Sequence, residues 1–274
     1  VVSTPARSRN VLVVCLLISI GASYLATSVQ VGEPESGSPL LYRDHDYNVS
    51  SKSINSSFPG SEEMFIIAET DKKGGIKRPE VLKALTDFQN HMMLDPNLGG
   101  VKGVNNLVRQ VNQMTRNDDP RWGVTPTINN NVGGLMFMYM MSSPTPGALL
   151  EYIDTDEKLA NMVFYYKDHT GETIRRSIHM AKEWIETKGT EIEGLTIHLA
   201  GGPVGVTAAI DEEAYQTNLI VVPAVLALIL AFTFWFYGSI HSGVMMLASM
   251  GFATTLTYAC MGLLEMGLNV NTVP

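Results

Sequence analysis

The sequence predicts an α+β membrane protein, in which three transmembrane helices accompany one extracytoplasmic domain of two β-α-β units. The first reason is the distribution of charge. The 274 residues include 19 Lys and Arg and 27 Asp and Glu, for a net charge of −8, but residues 11–32 and 214–264 contain none of these four types. The second reason is that strand-like and helix-like apolar patterns alternate within the charged segment between Glu33 and Glu213. This segment holds 17 basic and 26 acidic residues, an excess that argues against a nucleic acid partner.

The first predicted transmembrane helix covers residues 11–31, after a cytoplasmic N-terminus at residues 1–10. These 21 uncharged residues are enough to cross a hydrocarbon core of roughly 30 Å as a helix. A secretory signal peptide is the alternative, because Arg7 and Arg9 precede the apolar run. Two further apolar runs later in the chain favour a transmembrane helix.

Those two runs predict transmembrane helices at residues 218–237 and 244–264. The link between them, residues 238–243, is so short that the helices must form an antiparallel hairpin through the bilayer. Arg7 and Arg9 are expected to stay in the cytoplasm. The domain at residues 32–217 is then outside the cytoplasm, and the 238–243 turn is inside.

The first β-α-β unit, roughly residues 60–130, begins with a predicted strand at Met64–Ala68. A helix is expected from about Pro79, which suits the first position of a helix, and a returning strand at Val101–Val104 follows glycine and proline breakers. Apolar residues at helical spacing define the expected buried side of the helix: Val81, Leu85, Phe88 and Met92.

The second unit, roughly residues 135–200, repeats the pattern with a strand at Met162–Tyr166, a helix at Thr173–Lys188 and a half-buried strand at Leu195–Leu199. The expected buried stripe of the helix consists of Ile174, Ile178, Ala181 and Ile185. Two units of this kind predict a pair of porter-like, ferredoxin-like subdomains, each with helices on one face of a sheet.

An additional apolar run, Leu135–Met141, contains four methionines in seven positions. An ordinary core strand is the simpler interpretation of this run. The alternative is a surface that contacts hydrophobic molecules of variable shape, since the methionine side chain is flexible and polarizable. If the protein has a conduit for such a substrate, the candidate residues are Leu135, Phe137, Met138, Tyr139 and Met141.

No pattern in the sequence predicts an enzyme, a cofactor or a metal site. The glycines of Leu199–Gly205 do not have the spacing of a dinucleotide-binding loop, and a tight turn before a membrane helix is the better interpretation. The histidines lack the spacing of a zinc-binding helix, and no nucleophile elbow or phosphate loop is present. Both cysteines, Cys15 and Cys260, lie in the uncharged runs, so neither a disulfide nor a cysteine-based zinc site is expected in the domain.

Three stretches resemble segments of the resistance-nodulation-division (RND) superfamily, in the branch of predicted lipid exporters with an MMPL or sterol-sensing-type membrane domain. Asp168–Arg176 resembles the segment that opens the second subdomain's helix, and Leu199–Ala209 resembles the element that joins the domain to the second span. Gly267–Pro274 resembles the turn from the third span into a fourth. The resemblance implies that residues 265–274 form an outer turn and the start of a fourth transmembrane helix.

The resemblance implies proton-driven export of lipids or other hydrophobic or amphipathic molecules from the inner membrane of a bacterium. In the family, the outer subdomains form the substrate conduit and acidic residues in the fourth span carry protons. No Asp, Glu, Lys or Arg lies inside the three predicted spans, so the resemblance implies an N-terminal fragment whose proton relay lies beyond Pro274. The expected partners are the bilayer and a hydrophobic substrate, and a second copy or a periplasmic protein is left open. A membrane-anchored, sterol-sensing-like sensor or a protein-export accessory is the alternative function.

Overall fold

A computed structural model of the chain describes residues 5–29, 32, 37–38, 41–264 and 266–267. It divides into a helical unit, Val1–Pro34 with Ala209–Pro274, and an α+β domain, Glu35–Ala208. Glu265 and residues 268–274 lie outside the described residues, and with them most of the predicted outer turn and fourth span.

The described part of the chain contains eight α-helices and four β-strands. The helices are α1 (Pro5–Ala26), α2 (Asp46–Ser57), α3 (Pro79–Met92), α4 (Val104–Met114), α5 (Asn129–Ser142), α6 (Gly171–Thr187), α7 (Gly202–Tyr237) and α8 (Ile240–Leu263). The strands are β1 (Glu62–Thr70), β2 (Leu98–Lys102), β3 (Leu159–Tyr166) and β4 (Leu195–Gly201).

Three helices are long and apolar enough to cross a membrane, as predicted: Arg9–Ala26 in α1, Ile220–Tyr237 in α7 and Ile240–Leu263 in α8. Most of their apolar side chains are exposed, which is consistent with a membrane-associated protein. The predicted six-residue link is wrong, because α8 begins at Ile240 and only Gly238 and Ser239 separate it from α7. Gly238 adopts a φ of 60°, a left-handed conformation that ends α7 abruptly.

Small residues bring α1 and α8 into close contact within the helical unit. A side-chain carbon at Gly262 would lie 2.7 Å from both the Leu25 carbonyl oxygen and the Ser28 hydroxyl. Ala22 on α1 and Ala259 on α8, which lie close in sequence to Leu25 and Gly262, are also buried. Since the C-terminal ends of α1 and α8 meet, the two helices run in the same direction, with the close backbone approach that small residues allow between membrane helices.

The described residues of the domain form a single four-stranded antiparallel sheet in the order β2-β3-β1-β4. The predicted pair of subdomains is therefore wrong, because both β-α-β units contribute to the same sheet. Met64 in the first unit pairs with Phe164 in the second, and β1 also pairs with β4. This interleaving of two β-α-β units is the ferredoxin-like arrangement, present once rather than twice.

The core of the domain confirms the predicted helical stripes. All four apolar residues predicted for α3 are buried, and Phe88 makes edge-to-face contacts with Phe164 and Trp184 at ring distances of 5.6 and 5.1 Å. On α6, Ile174 and Ala181 are buried. The other two residues of that stripe, Ile178 and Ile185, are half-buried and pack against the core.

Two glycine positions set where strands end. Gly103 precedes α4, so Val104 begins this helix instead of ending β2 as predicted. Gly202 begins α7 with a φ of 81°, and a side chain there would collide with the backbone carbonyl of Glu63. The predicted tight turn after β4 is therefore confirmed, and its glycine is needed for both conformation and space.

Candidate functional site

The candidate site lies in the connection between β2 and β3, residues 103–158, hereafter the insertion. It contains α4, a segment at residues 123–127 that we call the strap, and α5. Long connections inside compact domains commonly carry function. The insertion is therefore the first place to look for a binding surface on this domain.

The predicted conduit residues lie on a helix, α5, rather than on a strand. Leu135–Met141 is apolar at every position, and a run of this kind has no periodicity to distinguish a buried helix from a buried strand. One side of α5 faces the domain core, where Val132, Leu135 and Met136 are buried. The prediction of a core strand was wrong about secondary structure, since the segment is a helix. The predicted burial is found on one side of that helix only.

The other side of α5 is apolar but exposed. Phe137 and Met141 expose 57% and 69% of their surface, and Met138 and Met140 are also exposed. We call Phe137, Met138, Met140 and Met141 the Met-rich face. It includes three of the five predicted conduit residues and adds Met140, whereas Leu135 lies on the buried side and Tyr139 is half-buried.

Aromatic and charged contacts hold α5 against the domain. Tyr139 packs edge-to-face on Tyr152 at 6.2 Å, and Lys102 lies over the Tyr152 ring at 5.1 Å while pairing with Glu151 at 2.6 Å. The hydrogen bond to Glu151 raises the pKa of Lys102.

A second concave feature lies on the same part of the domain, between α3, α4 and the strap. This α3–α4 groove has a volume of about 530 Å³. Its lining includes Pro79, Glu80, Lys83, Thr86, Asn90, Arg109 and residues 123–127. No sequence pattern indicated this groove, because the residues that form it come from three segments with no shared motif.

Hydrogen bonds from α4 fix the strap that closes the groove. The Arg109 guanidinium donates through Nε to the Gly123 carbonyl at 2.9 Å. The Asn112 amide donates to the carbonyls of Trp122 and Val124 at 2.8 and 3.1 Å. The groove is therefore a built feature of the fold rather than a gap beside a free loop.

The Asp168–Arg176 stretch, one of those that resemble the RND superfamily, lies in the second β-α-β unit and forms side-chain contacts with the first. Arg176 donates through Nε and Nη2 to the buried Asp95 carboxylate at 3.0 and 2.9 Å, and this pairing raises the pKa of Arg176. Asn97 donates from its side chain to Asp168 at 3.0 Å and to Thr173 at 2.7 Å. Thr170 caps the start of α6. These contacts are structural and lie at the junction of the two units.

No group of three or more His, Cys, Asp or Glu side chains within the described ranges is arranged to hold a metal ion. The features that stand out are instead the apolar Met-rich face and the α3–α4 groove. Compared with known proteins, the chain matches no protein family and no curated protein is significantly similar to it.

Proposed function

We propose that this chain works as part of a proton-driven exporter of the RND type, in the MMPL or sterol-sensing-type branch. It moves lipids or other hydrophobic or amphipathic molecules out of the bacterial inner membrane. The α+β domain lies outside the cytoplasm, and the Met-rich face contacts the molecule being moved. The support comes from three membrane-length helices together with an apolar surface on a water-exposed domain.

The observation that carries this proposal is the exposure of one side of α5. A helix that is apolar around its whole circumference is normally buried on all sides. Here four large apolar side chains on one helix remain exposed, and grouped exposure of this kind marks an interaction surface. Methionine adapts to varied apolar shapes, which suits an alkyl chain better than a partner of fixed shape.

The candidate spans Ile220–Tyr237 and Ile240–Leu263 contain no Asp, Glu, Lys or Arg, and the span Arg9–Ala26 contains only Arg9, at its first position. Proton movement through a membrane protein depends on ionisable groups in the bilayer. In this proposal the proton-carrying carboxylates therefore lie outside these three spans. The role of α1, α7 and α8 is to hold the domain at the membrane.

Photolabelling tests the proposed contact. The chain in lipid nanodiscs is exposed to a palmitic acid that carries a diazirine on its alkyl chain, and labelled peptides are mapped by mass spectrometry. We expect saturable labelling of residues 137–141 that unlabelled palmitate competes away. Phe137→Asp or Met138→Asp should remove most of this labelling, because a charge on the contact surface opposes binding of an alkyl chain.

Leu94→Asp provides the matched control, since Leu94 is an exposed apolar residue outside the insertion. Labelling of the three spans serves as the internal reference and should not change. Circular dichroism should show the same folded signal in all variants, because each substituted side chain is exposed. Labelling confined to the spans, or α5 labelling unchanged by both aspartates, would show that the Met-rich face does not contact cargo.

A further inference from the structure

Two basic side chains line the α3–α4 groove. Lys83 and Arg109 both line it, and within the described residues neither side chain forms an ion pair with a carboxylate. The acidic residue in the lining, Glu80, lies 3.7 Å from Arg78. A groove with two available cations therefore exists in a segment where acidic residues outnumber basic ones.

Two lysines elsewhere in the domain are instead paired with carboxylates. Lys73 pairs with Asp156 at 2.6 Å, and Lys102 pairs with Glu151 at the same distance. With Lys83 and Arg109 against one acidic residue, Glu80, the groove lining has a net positive charge, and this charge attracts an anionic ligand. Charge complementarity thus predicts that the ligand is negatively charged.

The remaining lining specifies its apolar part. Pro79, Val124 and Pro126 contribute apolar surface to the walls, and threonine and asparagine side chains contribute hydrogen-bonding groups: Thr86, Asn90, Thr125 and Thr127. A free inorganic anion gains no binding energy from apolar walls. A molecule with an anionic group next to hydrocarbon uses both parts of the groove.

The strap connects this groove to α5. Val124 in the strap and Ile128 just before α5 are both exposed apolar side chains, and Ile128 directly precedes the first residue of α5. An apolar tail that leaves the groove can follow these residues toward the Met-rich face. The two features then serve different ends of the same ligand.

We propose that the α3–α4 groove binds the anionic head of an amphiphile, with Lys83 and Arg109 holding a phosphate or carboxylate. This inference rests on the proposed function and names its substrate class: the cargo is an anionic amphiphile rather than a neutral lipid. Lys83 supplies an adaptable point charge at the groove, and Arg109 supplies guanidinium N–H groups in addition to the one given to the strap.

Calorimetric titration of the chain in phosphatidylcholine nanodiscs tests the inference. The probe is dihexanoyl phosphatidic acid, which is water-soluble below its micelle concentration, and the comparison ligands are dihexanoyl phosphatidylcholine and inorganic phosphate. We expect the phosphatidic acid to bind more tightly than either. Lys83→Gln should weaken its binding about fivefold, as expected for loss of one partly exposed charged contact, and added salt should weaken wild-type binding.

Lys188→Gln is the control, because Lys188 is exposed on the domain and lies outside the groove lining. It should leave the affinity unchanged. Equal binding of the phosphatidic acid by wild type and Lys83→Gln, or an equal loss in the control, would overturn the inference. Inorganic phosphate binding as tightly as the phosphatidic acid would also overturn it, since the apolar walls would then have no role.

The same variants separate this inference from the proposed function. Phe137→Asp should abolish photolabelling of α5 while retaining calorimetric binding of the short-chain phosphatidic acid. If α5 labelling occurs as expected but Lys83→Gln binds the phosphatidic acid normally, the exporter proposal stands and the groove assignment fails. If groove binding is confirmed but α5 is never labelled, the groove is an anion site and the cargo surface is wrong.

Discussion

Replacing Arg176 by Met removes both guanidinium contacts from Asp95, a carboxylate whose side chain has no exposed surface. Breaking a buried ion pair by removing one partner costs about 3–5 kcal/mol, because the remaining charge stays buried and unpaired. Arg176 keeps 30% of its side chain exposed, and Asn97 still donates its backbone N–H to Asp95. We therefore expect the lower end of that range, about 3 kcal/mol.

A loss of about 3 kcal/mol should lower the melting temperature by about 6–12 °C for a domain of this size. Thermal unfolding followed by near-ultraviolet circular dichroism, which detects the packing of Phe88 against Trp184, measures this directly. Lys167→Met is the control at an exposed position and should shift the melting temperature by about 2 °C or less.

A double substitution tests the cause of the effect. Asp95→Asn removes the buried charge but keeps an oxygen that can accept from the backbone N–H of Asn97. In that background Arg176→Met should cost much less than it does alone, because no charge is left unpaired. An equal cost in both backgrounds would refute the reasoning and show that Arg176 stabilises the domain by packing alone.

The remaining predictions concern acid stability, helix packing and topology. Burial raises the pKa of Asp154, but hydrogen bonds from backbone N–H groups, including those of Leu159, Lys158 and Asp156, outweigh burial and hold that pKa below its ordinary 3.8. The stabilisation from ionised Asp154 is therefore present at neutral pH and lost in stronger acid, and Asp154→Asn should flatten that part of an acid-unfolding curve. Gly262→Ile should lower the melting temperature of the helical unit through overpacking of about 1–3 kcal/mol, whereas Gly251→Ile, with open space beside it, should not. In a chain whose natural cysteines are replaced, Ser56→Cys should react with an impermeant maleimide in intact cells and His241→Cys only after permeabilisation; the reverse pattern would contradict the proposed orientation.

The sequence predicted those helices and strands that have one face buried and the other in water, because their apolar residues then recur with a visible period. The stripe from Val81 to Met92 has one side in the core and one in water, so its period is visible. The alternation from Leu195 to Leu199 is visible for the same reason, because β4 is an edge strand with one face covered. The three membrane-length helices could be predicted from the length of their apolar runs and the absence of charged residues within them.

The sequence could not predict features that depend on distant pairing. The two β-α-β units looked independent because nothing local indicates that Met64 pairs with Phe164 across about 100 residues of chain. The apolar run in α5 concealed its helical period because both sides of the helix are apolar. The groove was missed for a related reason: Lys83 and Arg109 are unremarkable in sequence and come together only through the packing of α3 on α4.

The interleaved sheet links the two β-α-β units, whereas the exposed side of the insertion is not constrained by strand pairing. Each β-α-β unit contributes one of the two central strands, so neither unit can lose its register without disturbing the other. The insertion adds no strand to that sheet, although it carries both the Met-rich face and the strap. Substitutions on the exposed side of the insertion can therefore change its charge or hydrophobicity without disturbing the strand pairing that holds the two units together.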